Sequence, residues 1–162
     1  MRKIQDLLGE IWRVDCTGCA IGSGKMEPPG GIISENDSVF LHQDPEVPIP
    51  GFLVVGSRRH VRSLNEMSPK EQSEFTSLLC EAQSCLSALP EVESITIVQE
   101  ERSAHFHTWL FPWQTWMTDM FGTNSLTHLG PIMAHAKSHR KNPDQLDTIL
   151  KTVGYLKEQI HS

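Results

Sequence analysis

Apolar residues along this chain recur at two spacings, and the change from one to the other outlines the elements. Phe75, Leu78, Leu79, Ala82, Leu86 and Leu89 repeat at the intervals that line one face of a helix. Just ahead of them, Ser68-Pro69-Lys70-Glu71 supplies a capping serine, a proline at the first helical position and an acid three residues after the cap. Pro90 stops the helix. A second stripe, Leu146, Ile149, Leu150, Val153, Leu156 and Ile160, predicts a helix over 143–160, and another is expected over about 124–140. Near the N-terminus, Ile4, Leu7, Leu8 and Ile11 predict a short amphipathic helix over 3–13.

Shorter β-like runs occupy 31–34, 38–42 and 52–56, with Pro45, Pro48, Pro50 and Gly51 separating the second from the third. The stretch 22–31, rich in Gly and Pro, reads as loop. Residues 94–99 alternate as a strand, and 105–111 form its expected antiparallel neighbour across a turn at 100–104. Strands, then a helix, then strands, then helices describe an α+β protein with an antiparallel sheet rather than alternating βαβ units. No linker, repeat or low-complexity tract divides the chain, so one domain is expected over 1–162.

Composition narrows the function classes. With 162 residues, 38% of them hydrophobic and 21% charged, the chain suits a soluble globular domain with a real core. A formal charge of −6 argues against a broad DNA- or RNA-binding surface, though not against one small phosphate pocket. No stretch approaches the roughly 18 apolar residues of a membrane span, and the N-terminus has no secretory pattern. Four cysteines in a chain of this size make no disulfide framework. A cytoplasmic location is expected, and Cys16-Thr17-Gly18-Cys19 becomes a candidate metal or redox pair.

The chemistry concentrates on the strand at 105–111. Side chains two apart share a face, so His105, His107 and Trp109 line up together, while Phe106, Thr108 and Leu110 face the other way. Two imidazoles on one face are either a functional pair or one hydrogen-bonded core histidine beside a surface one.

The run His105-Phe106-His107-Thr108-Trp109-Leu110-Phe111-Pro112 resembles the motif of the histidine-triad family. The stretch Gly51-Phe52-Leu53-Val54-Val55-Gly56-Ser57-Arg58-Arg59-His60-Val61 is similar to that family's strand and turn ending in Arg-His. Ser63-Leu64 through Glu71 resembles its helix start, and Cys16-x-x-Cys19 is a pair that many members carry. The resemblance spans about 16–113 and leaves a C-terminal helical extension at about 123–160. It implies a histidine-triad-like fold, an antiparallel sheet with one long helix packed on it, plus the extra C-terminal helices.

It also implies an activity: a hydrolase or nucleotidyltransferase acting at the α-phosphate of a dinucleoside polyphosphate or nucleoside phosphoramidate. His107 would be the nucleophile, a role that a neutral imidazole held by a backbone carbonyl suits. Asp44 would bind ribose hydroxyls, although Asp44-Pro45 is also an ordinary turn start. In zinc-bearing relatives the ligands are the Cys pair, the His after the third strand and the first motif histidine, here Cys16, Cys19, His60 and His105. That donor set suits a structural zinc ion. A homodimer is the usual assembly of the family.

Two positions depart from the pattern. Trp109 stands where the third histidine belongs, and an indole cannot shuttle a proton. Phe52 replaces a histidine that usually follows Pro-Gly. Arg102 and Ser103 are candidate phosphate donors in compensation, with plain turn residues as the alternative. Trp109, Trp113 and Trp116 are candidates for a nucleobase wall, or for core. A catalytically degenerate nucleotide-binding module and a zinc-stabilised scaffold therefore stand beside the enzyme. Gly22-Ser23-Gly24-Lys25 is no phosphate loop, because Cys19 and Met26 occupy its key positions. His128, His135 and His139 share a helix face and read as a solvated or interface stripe.

Overall fold

The computed structural model describes residues 1–161; Ser162, the last residue of the expected domain, lies outside them. In chain order the elements are β1 (Arg2–Gln5), β2 (Ile11–Val14), α1 (Thr17–Gly22), β3 (Ser34–Glu35), β4 (Val39–Gln43), β5 (Leu53–Ser57), α2 (Pro69–Ser87), β6 (Val92–Gln99), β7 (His107–Gln114), α3 (Thr115–Phe121), α4 (Leu126–His139) and α5 (Pro143–Gln159). A single 3-10 turn, Leu64–Glu66, precedes α2. The α+β class is as expected. Strands β3-β4-β5-β7-β6 form one antiparallel sheet in that order.

The long helix begins as its sequence dictates. Ser68 accepts a hydrogen bond from the Glu71 amide, and the Glu71 side chain accepts one from the Ser68 amide. This reciprocal cap satisfies two of the amides that a helix start leaves free. Phe75, Leu78, Ala82 and Leu86 are buried on the sheet-facing side. They pack with Val39, Leu41, Leu53, Val55, Phe106 and Leu110 of the strands and with Val153, Leu156 and Ile160 of the last helix. One face of the sheet is thus sealed by α2 and α5.

The N-terminal segment is not a helix. It is a two-stranded hairpin, with Ile4 opposite Trp12 and Gln5 opposite Ile11. The turn explains the outcome. Asp6 accepts hydrogen bonds from the Leu8 and Glu10 amides and from the Trp12 indole, and Gly9 takes φ +88°, which suits glycine. An aspartate that satisfies two local amides offers the backbone an alternative to a helix. The apparent helical stripe is therefore split: Ile4 is buried against Ala20, Ile21, Met26 and Phe40, while Leu8 and Ile11 are exposed.

The C-terminal region also begins earlier than expected. Strand β7 runs straight into α3, a seven-residue helix too short to leave a periodic signal, and α4 follows. Together they cover the far end of the second sheet face, where Phe52, Phe111, Trp113, Met117, Leu129, Ile132 and Ala136 form a separate apolar cluster. Among the described residues no helix is long and apolar enough to cross a membrane.

Candidate active site and metal centre

Strand register decides what the open part of this face displays. Phe40 lies opposite Gly56, which lies opposite His107; His42 lies opposite Val54, which lies opposite Trp109. These two rows floor a cleft of about 330 Å3. Gly56 has a steric reason: a Cβ there would sit 2.8 Å from the Phe40 ring. The glycine lets that ring cross the strand beside His107.

Cys16, Thr17, Gly18 and Ile21 of the α1 segment form one wall, and Asp44, Pro45, Glu46 and Arg2 another. His60, Ser103 and His105 close the end nearest the helix. Arg2 ion-pairs with Glu46 at 2.8 Å, so the N-terminal hairpin contributes to the cleft.

His107 is half-buried, and its Nδ1–H donates to the His105 carbonyl oxygen at 3.0 Å. In the neutral ring that bond selects the Nδ1–H tautomer, whose bare nitrogen is Nε2, and Nε2 has no partner among the described residues. Ser103 Oγ donates to the same carbonyl at 3.2 Å, so the side chain is used on the turn that orients the histidine.

Cys16 Sγ lies 3.6 Å from His60 Nδ1 and 3.3 Å from His105 Nδ1; the corresponding distances from Cys19 Sγ are 3.2 and 3.5 Å. The two Nδ1 atoms are 3.2 Å apart, and all four donor atoms lie within 4.8 Å of one another. Zinc bonds of about 2.3 Å to sulfur and about 2.0–2.1 Å to nitrogen place tetrahedral ligands about 3.3–3.8 Å apart. The group fits that shape.

Its surroundings fit too. His105 Nε2–H donates to the Ser57 carbonyl at 2.7 Å, which turns the bare Nδ1 toward the sulfurs, the usual outer support of a metal-binding imidazole. Burial holds His105 below the ordinary imidazole range, with His60 and His107 adding to the effect. Burial also raises the Cys19 thiol, and Cys16 raises it further; a cation between them would reverse that preference. Cys16 caps α1 by accepting the Cys19 amide, and a Cβ at Gly18 would collide with the His105 ring. The short helix can approach the histidine only because Gly18 is bare.

Other candidates fall at varying distances from this centre. Asp44 lines the cleft, and its Oδ1 accepts the Glu46 and Val47 amides at 2.9 and 2.8 Å; burial raises its carboxyl to about 6. Trp109 is half-buried beside His107, ring centroids 6.2 Å apart. Arg102 does not reach the cleft; it pairs with Glu100 at 2.9 Å on its own exposed turn. Trp113 is wholly buried and donates to Thr96, and Trp116 carries the Arg140 guanidinium 4.2 Å above its ring. Neither lines the cleft. His135 and His139 stack at 4.6 Å, while His128 bonds the Thr123 carbonyl; no further metal-binding group of three or more residues occurs among the described residues.

His42 escaped the sequence reading. It is buried in the cleft floor, stacks on Phe40, and its Nδ1–H donates to the Gln43 carbonyl at 2.8 Å. Burial pulls it down to about 4, so it is neutral. The alternation of Phe40 and His42 along β4 was the available signal.

No protein-family model matches the sequence, and no curated protein does. Solved structures do match the fold. A Hit-like protein involved in cell-cycle regulation from Bartonella henselae aligns over 92% of this chain and 99% of its own, with a TM-score of 0.62 and 11% identity. A zinc-bound histidine triad family protein from Mycobacterium smegmatis covers 89% and 96%, with 0.58 and 13%. The fold is that of the histidine-triad proteins. A HIT family hydrolase from Legionella pneumophila Philadelphia 1 covers 67% of this chain and 100% of its own, with a TM-score of 0.50 and 17% identity. On this fold His105 faces the cysteines and His107 the cleft, with Trp109 beside it.

Proposed function

We propose that this histidine-triad-fold protein is a nucleotidyl hydrolase or transferase, with His107 attacking the α-phosphorus of a nucleotide derivative. The observation that carries the reading is the His107 ring: its Nδ1–H is held by the His105 carbonyl, and its other nitrogen is left to a cleft large enough for a mononucleotide. Nε2 forms a bond to phosphorus as the leaving group departs, and water then releases the nucleotide. Asp44, on the cleft wall, is the candidate for the ribose hydroxyls, and Trp109 contacts the bound nucleotide. Ser103 acts through the His105 carbonyl. Arg102, out on its turn, has little support as a phosphate ligand.

Cys16, Cys19, His60 and His105 would hold a structural zinc ion, supported by their spacing and by the zinc-bound neighbour from Mycobacterium smegmatis. When bound, the ion would cross-link the N-terminal segment to the strand that carries His107. Elemental analysis should find about one zinc per chain, the load of a single four-ligand site; metal-free protein with intact fold would count against the site. The outer edge of β6 has no strand partner among the described residues, which supports the expected homodimer, and sedimentation tests it.

The deciding experiment is adduct trapping. Wild-type protein mixed with a radiolabelled nucleotide ester and quenched in base should carry an acid-labile label that His107→Ala lacks. One observation favours a second reading, a binding module without turnover: Phe52 packs edge-on against Trp109, centroids 5.4 Å apart, so both departures reduce the polarity of one region. Nucleotide affinity without any adduct would decide for that reading.

A further inference from the structure

The cleft contains a nucleophile but no acid to match it. Its ionisable and hydroxyl side chains are Arg2, Asp15, Cys16, Thr17, His42, Asp44, Glu46, His60, Ser103, His105 and His107, and each is otherwise engaged or unsuited to protonating a leaving group. Arg2 is paired with Glu46, and Asp15 with the N-terminal amine at 3.6 Å. His42 is neutral, and its one ring proton is on the Gln43 carbonyl. Cys16, His60 and His105 turn their donor atoms toward one another and Cys19, away from the nucleophile's free nitrogen. Asp44 spends Oδ1 on two amides, and its own amide bonds the Phe52 carbonyl, beyond the His42–Val54–Trp109 row rather than beside His107. Aliphatic hydroxyls such as those of Thr17 and Ser103 are too weakly acidic, and the indole of Trp109 is a donor but not an acid.

The region next to the nucleophile is apolar instead. Trp109 is the next residue on the His107 face of β7, with Val54 opposite it and Val98 on its other side. Behind it stands Phe52, itself edge-on to Phe111. Arg2 and Glu46 neutralise each other, so among the described residues no unpaired permanent cation lines the cleft to balance a chain of further phosphates.

We propose that the cleft acts on nucleoside monophosphate derivatives whose leaving group is weakly basic and apolar, departs as an anion without a proton, and packs on Trp109. A carboxylate leaving from an acyl–nucleotide anhydride and an aryloxide leaving from an aryl ester share this chemistry. The inference rests on the nucleotidyl-transfer reading above. In the first half, the His107 Nε2 lone pair forms the P–N bond and the P–O bond breaks, its electron pair staying on the departing oxygen. In the second half, water forms a P–O bond, the P–N pair returns to Nε2, and the proton of water passes to solvent.

The test is a leaving-group series: 4-nitrophenyl and phenyl esters of adenosine 5′-monophosphate, benzoyl adenylate, and diadenosine tetraphosphate, with product release followed in the first turnover. An enzyme lacking an acid should release nitrophenolate faster than phenolate by about 100-fold or more, the usual scale of general-acid assistance. Trp109→His, which places an imidazole beside the nucleophile, should shrink that ratio. At matched leaving-group basicity, a carboxylate on the ring should lower kcat/KM about tenfold, equivalent to ~1.4 kcal/mol. Benzoyl adenylate should outpace diadenosine tetraphosphate, and its rate relative to the nitrophenyl ester distinguishes acyl from aryl substrates. A wild-type ratio near one would overturn the absence of an acid, whatever the variant does. Indifference to the ring carboxylate, or faster cleavage of the tetraphosphate, would overturn the apolar site. Failure to turn over even the nitrophenyl ester would overturn the transferase reading itself, and this inference with it.

Discussion

One sheet face carries two environments that meet at Trp109. Toward Phe40, Gly56 and His107 it opens into a cleft, and the neighbouring side chains of His60 and His105 converge on two thiols. Toward Phe52, Phe111 and Trp113 it is dry and covered by the residues of α3 and α4. The strands and their alternation are the same in both halves. What differs is the covering: α1, with no side chain at Gly18, approaches one end closely but leaves a gap, whereas α3 and α4 fill the other. Polar groups persist where water or a ligand can reach them, and a buried unpaired one would be costly. This accounts for apolar residues at both positions that depart from the histidine-triad motif: Phe52 lies under the helices, and Trp109 stands on the boundary.

The sharpest break in that comparison is His107→Ala. It should lower first-turnover nucleotidyl transfer by about 1000-fold or more while leaving the circular dichroism spectrum unchanged, as loss of a covalent nucleophile does. Retained turnover would mean that the open half does its chemistry elsewhere. Next, Phe52→Ala removes a fully buried ring from the covered half and should destabilise by about 3–5 kcal/mol in denaturant titrations. A loss under 1 kcal/mol would show that the half is not packed as described.

Gly18→Ala tests the close approach of α1 to His105. We expect about 1–3 kcal/mol of destabilisation, the range for overpacking, together with weaker zinc retention against a chelator. Unchanged retention would show that the helix has room to shift.

The smallest effect concerns pH and separates His42 from Asp44. Burial holds His42 at about 4 in the folded state, against about 6.5 when unfolded. The unfolded chain therefore binds more protons between those values, so the contribution of neutral His42 is complete above about pH 6.5 and lost as pH falls toward 4. Asp44 works in the opposite sense. Its folded carboxyl is raised to about 6, so its contribution is present below about pH 3.9, the unfolded value, and lost as pH rises through 6. Between pH 4 and 6 the two oppose each other. Asp44→Asn should make the melting temperature fall more steeply on acidification than in wild type, and His42→Asn less steeply. Parallel curves for all three proteins would remove both assignments.

Much of the fold was legible wherever a local signal is strong. The capping box at Ser68 and Glu71, the stripe of α2, the β-like runs of β4 and β5, and the alternation of β6 each lead to the correct element. The N-terminal hairpin is hidden in the sequence because four apolar residues fall at helical intervals, while the turn that wins depends on two amides satisfied by Asp6. Helix α3 was missed because seven residues leave no period to read. Within the site, the spacing of His105 and His107 and the Cys-x-x-Cys pair pointed to residues that the fold does bring together. Arg102 looked like a phosphate ligand in sequence, yet Glu100, two residues before it, holds it on the turn.

By itself, the order of residues determined strands β4 to β7 and the helices α2, α4 and α5, the shared face of His105, His107 and Trp109, and the presence of four metal-type donors. These depend on periods of two or three to four residues and on residue chemistry, both local properties. Only the tertiary structure decided that Cys16 and Cys19 meet His60 and His105 across separations of more than forty residues, that His42 joins the cleft floor, and that Trp109 divides a wet half from a dry one. Those outcomes depend on strand register and on which helix covers which end of the sheet, and neither is encoded within a single element.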